Sequence, residues 1–272
     1  MTDTKQKVKQ FYDEVGWQQE QDGHYQNARY EDLRPVSREY IHKTRLRVMN
    51  GLVPTGRFIL DAGSGPVQYL EYKAYSQGYQ RRVCLDISIQ ALREARERIG
   101  DHGLFVVGDL ADLPFKEDSF DGAVSMHAIH HLALPEHPRA YREIHRVLAN
   151  GRSAAIVNGW HEPLLSRMAE PLIGMMRKLS GRSAKRKKEW FNEEDPAGTF
   201  VQKMTPEWLK REIGSKMSLE IKPWRSMSTR ILRWFVRPFG GRLFLKFVFW
   251  LEGLFPRFFA ENGQYPLIVI RK

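Results

Sequence analysis

Between residues 57 and 160, short apolar runs alternate with polar stretches whose apolar residues recur at helical spacing, which is how parallel strands joined by crossover helices read. Arg57–Asp61, Arg82–Asp86, Leu104–Val107, Phe120–Ser125 and Ser153–Val157 predict five strands. A helix is expected from the N-cap Ser88 to the stop at Gly100, with Ile89, Leu92 and Ile99 on its apolar side. Others are expected from Gly65 to about Gln77 and from Pro135 to Leu148. The pattern implies an α/β, doubly wound sheet whose ligand lies at the carboxyl ends of the strands.

Beyond residue 160 the alternation loosens. Residues 161–204 read as an inserted cap, with a Met-rich stretch, the basic run Lys185–Lys188 and the acidic run Glu193–Asp195. Thr205-Pro206-Glu207 opens a short helix, an N-cap followed by Pro and an early acid. Leu219–Ile221 and Pro266–Ile270 read as two late strands, and the long stretch between them predicts a second insertion at 229–262.

Composition narrows the class. A chain of 272 residues, 42% hydrophobic and 28% charged, can bury a sizeable core, so wholesale disorder is excluded. A single cysteine, Cys84, excludes an intramolecular disulfide framework and a thiolate-rich zinc site. Met1–Gln10 is charged where a signal peptide is apolar, so a cytoplasmic location is expected. Arg233, Arg237, Arg242, Lys246, Glu252 and Arg257 interrupt the most apolar region, so no spanning helix is expected. The net charge of +11 is uneven, since residues 164–272 hold 22 Lys and Arg against 10 Asp and Glu. That asymmetry points to an anionic surface, membrane or nucleic acid, as partner.

The chemistry begins at Asp61-Ala-Gly-Ser-Gly65, a strand-to-helix turn whose glycines let the backbone approach a ligand. Asp86 ends the next strand, where an acid can accept both ribose hydroxyls of a nucleoside. Asp109, after the third strand, can accept an exocyclic amine of adenine while Leu110 covers the ring. The third glycine of a dinucleotide fingerprint is absent, Gln68 standing there, and no P-loop lysine follows. The pocket suits an adenosine rather than a nicotinamide cofactor or ATP.

With Ile59–Gly65, Val83–Ser88, Gly108–Phe115, Ser119–Val124 and His145–Gly151 in this order, the chain resembles the class I S-adenosylmethionine-dependent methyltransferases. The resemblance is to the branch of ubiquinone, menaquinone, sterol and small-molecule methyltransferases, and it covers about residues 10–160. It implies a Rossmann-like sheet with helical cap insertions and S-adenosyl-L-methionine as cofactor. The implied cofactor residues are Asp61, Gly63, Ser64, Gly65, Asp86, Ile87, Asp109, Leu110, Ser125 and Met126. Val67 departs from the pattern, since many relatives have a third glycine there. Residues 1–56 then form an amino-terminal helical lid, 57–160 the cofactor-binding core, 161–204 the cap and 205–272 the end of the fold.

The sulfonium already activates the methyl group, so the protein must align an acceptor and exclude water. His127 of Met126-His-Ala-Ile-His-His131 is the candidate base, and Tyr12 and Trp17 resemble lid residues that close over the cofactor. Tyr25 and Arg29 are further candidates for the acceptor pocket. The histidines lack an accompanying carboxylate, so no metal is expected. In the second insertion, Arg230, Arg233, Arg237, Arg242 and Lys246 form a basic stripe, with Trp234, Phe244, Phe247 and Trp250 among the aromatics expected opposite. This is the composition of a helix lying in a membrane interface. The expected function is methylation of a hydrophobic small molecule, a lipid, quinone or lipophilic metabolite, at a membrane surface. A soluble natural-product methyltransferase, an RNA methyltransferase and a non-catalytic cofactor-binding protein are the alternatives.

Overall fold

A computed structural model describes residues 2–17, 25, 31–179 and 199–272. Arg29 and the runs Lys185–Lys188 and Glu193–Asp195 lie outside the described residues. One sheet contains β1 (Gly56–Ala62), β2 (Tyr79–Asp86), β3 (Gly103–Val107), β4 (Phe120–Met126), β5 (Leu148–Val157), β6 (Ser218–Arg225) and β7 (Tyr265–Arg271). Their order is β3-β2-β1-β4-β5-β7-β6, with β7 antiparallel to both its neighbours and the others parallel. The five early runs and the two late ones are all strands of it.

The helices are α1 (Asp3–Phe11), α2 (Arg38–Leu46), α3 (Leu70–Ala74), α4 (Ile89–Ile99), α5 (His137–Val147), α6 (Leu164–Leu179), α7 (Pro206–Leu209), α8 (Thr229–Phe235), α9 (Gly241–Leu254) and α10 (Pro256–Asn262). Ser88 caps α4 as expected, its hydroxyl accepting from the Ala91 N–H at 3.1 Å, and Gly100 ends it at φ +60°. The helix after the glycine turn is shorter than its sequence suggests. Tyr69 is still extended and the chain beyond Ala74 closes in turns, with Gln77 N–H on the Ala74 carbonyl at 3.2 Å.

Adjacent strand residues serve opposite faces of the sheet, so the strands read as unbroken apolar runs. Leu60, Leu85, Ala123, Ile156 and Ile268 pack with Tyr141, Ile144 and Val147 of α5. Ile59, Cys84, Val124, Ala155 and Val269 pack with Leu92 and Ala95 of α4 and with Val48. The second insertion docks through a third cluster, in which Leu232 of α8, Val236 just after it, and Leu245 and Val248 of α9 meet Tyr40 and Ile41 of α2.

Glu252 of α9 is fully buried and fixes that docking. Its carboxylate accepts from Tyr40 Oη at 2.7 Å, Arg47 Nη1 at 2.7 Å and the Ser226 N–H at 2.9 Å. Phe247 and Trp250 stack on one another with ring centroids 5.7 Å apart, and both point outward. Leu243, Phe244, Leu254, Phe255 and Phe258 are exposed with them. Arg242 and Lys246 lie on this same outward side, which corrects the expected segregation of basic and aromatic residues to opposite faces. The space between α9 and α2 is taken by Leu245, Val248 and Glu252, and the rings have no room there.

Candidate active site

The turn after β1 places left-handed residues alternately: Gly63 at φ +76°, Gly65 at +53° and Val67 at +51°. A β-branched residue in that region is strained by about 1–2 kcal/mol, and burial of the Val67 side chain offsets the strain. The backbone therefore keeps the course that a glycine at this position would give. Gly63 and Ser64 N–H groups donate to the Leu85 carbonyl at 2.7 and 3.0 Å. Gly65 N–H donates to Asp86 Oδ2 at 2.8 Å, and Ser88 N–H to Asp86 Oδ1 at 2.9 Å.

Asp86 thus braces both turns, with each oxygen retaining a lone pair for another donor. Burial pushes its carboxyl up to about 6, and the nearby Asp61 and Asp13 add to that against the two N–H groups. Ile87 follows it, half-buried. At the end of β3, Asp109 accepts from the Ala111 N–H at 2.8 Å and from Lys5 Nζ at 2.6 Å, while Leu110 is buried beside it. Met126 closes β4, half-buried. The turn, Asp86 and Asp109 therefore share one rim of the sheet.

The side chains of two of the expected cofactor residues turn inward, and at Ser125 it is the backbone that the resemblance assigns to the cofactor. Asp61 is buried against Arg82, which donates through Nε at 3.0 Å and also through Nη2. Ser125 is fully buried, its hydroxyl on the Ala62 carbonyl at 2.8 Å, tying β4 to β1. Both support the rim from beneath, and neither offers its side chain to it.

The amino-terminal segment covers this rim. Lys5 of α1 is paired with Asp109 and Glu136. A single π turn, Tyr12–Gly16, continues α1, and within it Asp13 accepts from the Ser88 hydroxyl at 2.5 Å. Tyr12 stacks on Trp17 at 5.0 Å, and the Trp17 ring lies against Gly65, where an added Cβ would meet it at 3.0 Å. Tyr25, considered for the acceptor pocket, sits instead by the α4 side, edge-on to Trp17 at 5.7 Å and under Arg98 at 4.9 Å.

His131 joins lid and cap. Its Nδ1 faces the Phe200 carbonyl at 2.7 Å and so carries the proton, which leaves Nε2 to accept from the Tyr12 hydroxyl at 2.7 Å. Tyr12 is thus a lid residue whose hydroxyl is engaged. His127 sits at φ +57° after β4, with its ring edge-on to Trp224 at 5.3 Å and to Tyr265 at 5.2 Å. Burial pushes its imidazole down to about 3, so it is neutral. His130 is pushed well down by burial too, and His131 to about 4. Among the described residues, no three His, Cys, Asp or Glu side chains are arranged to hold a metal ion.

Beside His127 lies a group that sequence reading misses, because its members come from four distant places. Arg225 of β6 donates to Glu31 at 2.7 and 3.1 Å. Arg45 of α2 lies 3.4 Å above the Tyr69 ring and shares Glu31 at 3.6 Å and Glu71 at 3.3 Å. Among the described residues, its buried Nε and Nη2 atoms have no hydrogen-bond partner. No periodicity or short motif links Glu31 to Arg225; only the folded sheet does.

A family model for a methyltransferase domain matches residues 60–156. Over 128 residues the chain is 29% identical to 2-methyl-6-phytyl-1,4-hydroquinone methyltransferase 1, chloroplastic, of Oryza sativa subsp. japonica, a match covering 46% of this chain and 37% of that protein. It is 31% identical over 98 residues to a probable phthiotriol/phenolphthiotriol dimycocerosates methyltransferase 2 of Mycobacterium ulcerans, covering 36% of this chain and 37% of that one. The fold superposes on Haemonchus contortus phosphoethanolamine N-methyltransferase 2 in complex with S-adenosyl-L-methionine, with a TM-score of 0.56, 16% identity and coverage of 97% of this chain and 60% of that one. The chain thus matches a methyltransferase domain over residues 60–156, on a fold shared with that methyltransferase. The rim's acceptors suit a nucleoside such as that of the S-adenosyl-L-methionine bound in that neighbour: a buried carboxylate with spare lone pairs and a second carboxylate one strand away. The matched stretches span 37% of the length of each of these two relatives, so the methyltransferase core is what they share with this chain.

Proposed function

We propose that this methyltransferase acts on a hydrophobic small molecule that it meets at an anionic membrane surface. The observation that carries the reading is the outward face of α9, α10 and the segment joining α8 to α9, where Phe239 is 98%, Phe247 54% and Trp250 57% exposed among exposed Arg237, Arg242, Lys246 and Arg257. Rings and cations side by side on one face suit the boundary between acyl chains and phosphate headgroups. The two relatives are named for a phytyl hydroquinone and for dimycocerosates, which agrees with a lipophilic acceptor. Among the described residues no helix is long and apolar enough to cross a membrane, so the contact is peripheral.

On this reading Asp86 accepts the ribose hydroxyls, Asp109 and Leu110 hold the adenine, and Gly63 to Gly65 receive the methionine end. Arg45, with two buried donors that lack hydrogen bonds among the described residues, is added as the partner of the methionine carboxylate. The cofactor supplies the methyl group on a sulfonium. The chain's own work is to hold the ends of that molecule, and Trp17 and Tyr12 shut water from the rim.

The test has two arms. Vesicles containing phosphatidylglycerol should sediment the protein, part of that binding should survive high salt, and neutral vesicles should bind less. Labelled cofactor incubated with a cell extract should leave label in the organic phase after solvent partition. Label confined to RNA would end the lipid reading, and binding lost entirely to salt would remove the apolar contact.

A further inference from the structure

A cavity of about 250 Å³ opens beside the carboxyl ends of α3 and α4, lined by Lys73, Ser76, Gln77, Arg98, Ile99 and His102. Ser76 and Gln77 stand just before β2, and Ile99 and His102 just before β3. Asp86 and Asp109 stand at the other ends of those strands, and the length of β2 alone sets the two places roughly 20 Å apart. The cavity is therefore no part of the rim.

Two local stops build it. Beyond α3 the chain closes in turns, with Ser76 N–H on the Lys73 carbonyl at 3.4 Å and Tyr79 N–H on the Ser76 carbonyl at 3.0 Å. Helix α4 ends at Gly100, and the single turn Gly100–His102 sets His102 into the same wall as Ile99.

Three features select the occupant. The first is charge: Lys73 and Arg98 are half-buried, and among the described residues neither is ion-paired and no carboxylate lines the cavity. Arg98 donates to the Tyr25 hydroxyl, and Glu94, one turn earlier on α4, accepts from that hydroxyl rather than from Arg98. A helix end contributes at most about half a negative charge, and less from the five-residue α3, so two full cations outweigh both ends. The second is an unmet polar atom. His102 Nε2 is buried and has no hydrogen-bond partner among the described residues, and an acceptor held between the cations would complete it. The third is size. The volume equals that of about eight waters at roughly 30 Å³ each, which suits a small organic anion rather than a nucleotide. Ile99 and the methylene stems of Lys73 and Arg98 give such a molecule an apolar side to rest on.

We propose that this cavity binds a small phosphate monoester, with its head among Lys73, Arg98 and His102 and its short body against Ile99. Such a head carries about −1.5 to −2 charges at pH 7 and three acceptor oxygens, which matches two cations and one imidazole donor. The site uses none of the groups assigned to the cofactor or to the outward face of α9, so it is tested separately from the proposed function.

The experiment titrates the full chain with propyl phosphate, inorganic phosphate and propanol by calorimetry. Propyl phosphate should bind at least about tenfold more tightly than propanol and about threefold more tightly than inorganic phosphate, and the binding should weaken as salt rises. Lys73→Met and Arg98→Met should each weaken it by at least about tenfold, and His102→Phe by about threefold. Arg242→Met and Lys246→Met, on the outward face of α9, should leave it unchanged. In the unsubstituted protein, propyl phosphate should also shift the His102 imidazole resonances, a readout that does not depend on any variant folding. Absence of binding, parity with propanol or with inorganic phosphate, full affinity in Lys73→Met and Arg98→Met, or His102 resonances that stay in place at saturation would overturn the proposal.

Discussion

Asp86 is buried where only its ionised form can accept donors with both oxygens, and that conflict sets a pH dependence. Its folded-state pKa of about 6 lies above the ordinary carboxylate value. Its contribution to stability is therefore fully present below the unfolded pKa and is lost as pH rises through about 6. Ribose hydroxyls favour the ionised form, so cofactor affinity should rise with pH up to about 6, by at most about tenfold per unit, and level off above it. Calorimetry across this range checks the slope, which Asp86→Asn should flatten at a much lower affinity. Asp61 shows the other use of a buried acid. Asp61→Ala leaves Arg82 buried without its counter-charge and should cost about 3–5 kcal/mol in urea unfolding, whereas Asp61→Leu with Arg82→Met should cost much less. At this scale strand ends and spacing make the rim legible, and Asp86 and Asp109 lie on it as expected. The sequence does not distinguish a carboxylate on the rim from one, like Asp61, that turns beneath it to an arginine 21 residues on.

Elements are legible where burial imposes a period. The seven strands are read correctly because the sheet buries both faces of most of its strands, and α4 because its cap and stop are both local. The orientation of α9 is not legible, since apolar residues occupy both its buried and its exposed sides. The residue that decides it is Glu252, an acid whose partners Tyr40, Arg47 and Ser226 come from remote parts of the chain. Glu252→Ala leaves Arg47 and Tyr40 with unmet groups, and the docking of α9 should weaken by about 3–5 kcal/mol. Hydrogen exchange should then speed up in residues 241–254 ahead of the sheet, and uniform acceleration throughout would show that the pin is not local.

For the whole molecule, the basic carboxyl-terminal portion and the balanced amino-terminal portion divide the work. The rim is built almost wholly from residues before 130, and the outward cations are on α9, α10 and the segment joining α8 to α9. The charge count alone exposes that division. What it leaves out is the cluster beside His127, since Glu31, Arg45 and Arg225 meet only once β6 has joined the sheet. Helix α9 is, in effect, worn inside out. In plain buffer its rings have only other copies of themselves for shelter, so concentrated samples should scatter light more than dilute ones, and a mild detergent should clear them. Changing Phe247 and Trp250 to Gln should disperse the clusters and leave the melting temperature within a few degrees, because neither ring is part of what the fold encloses.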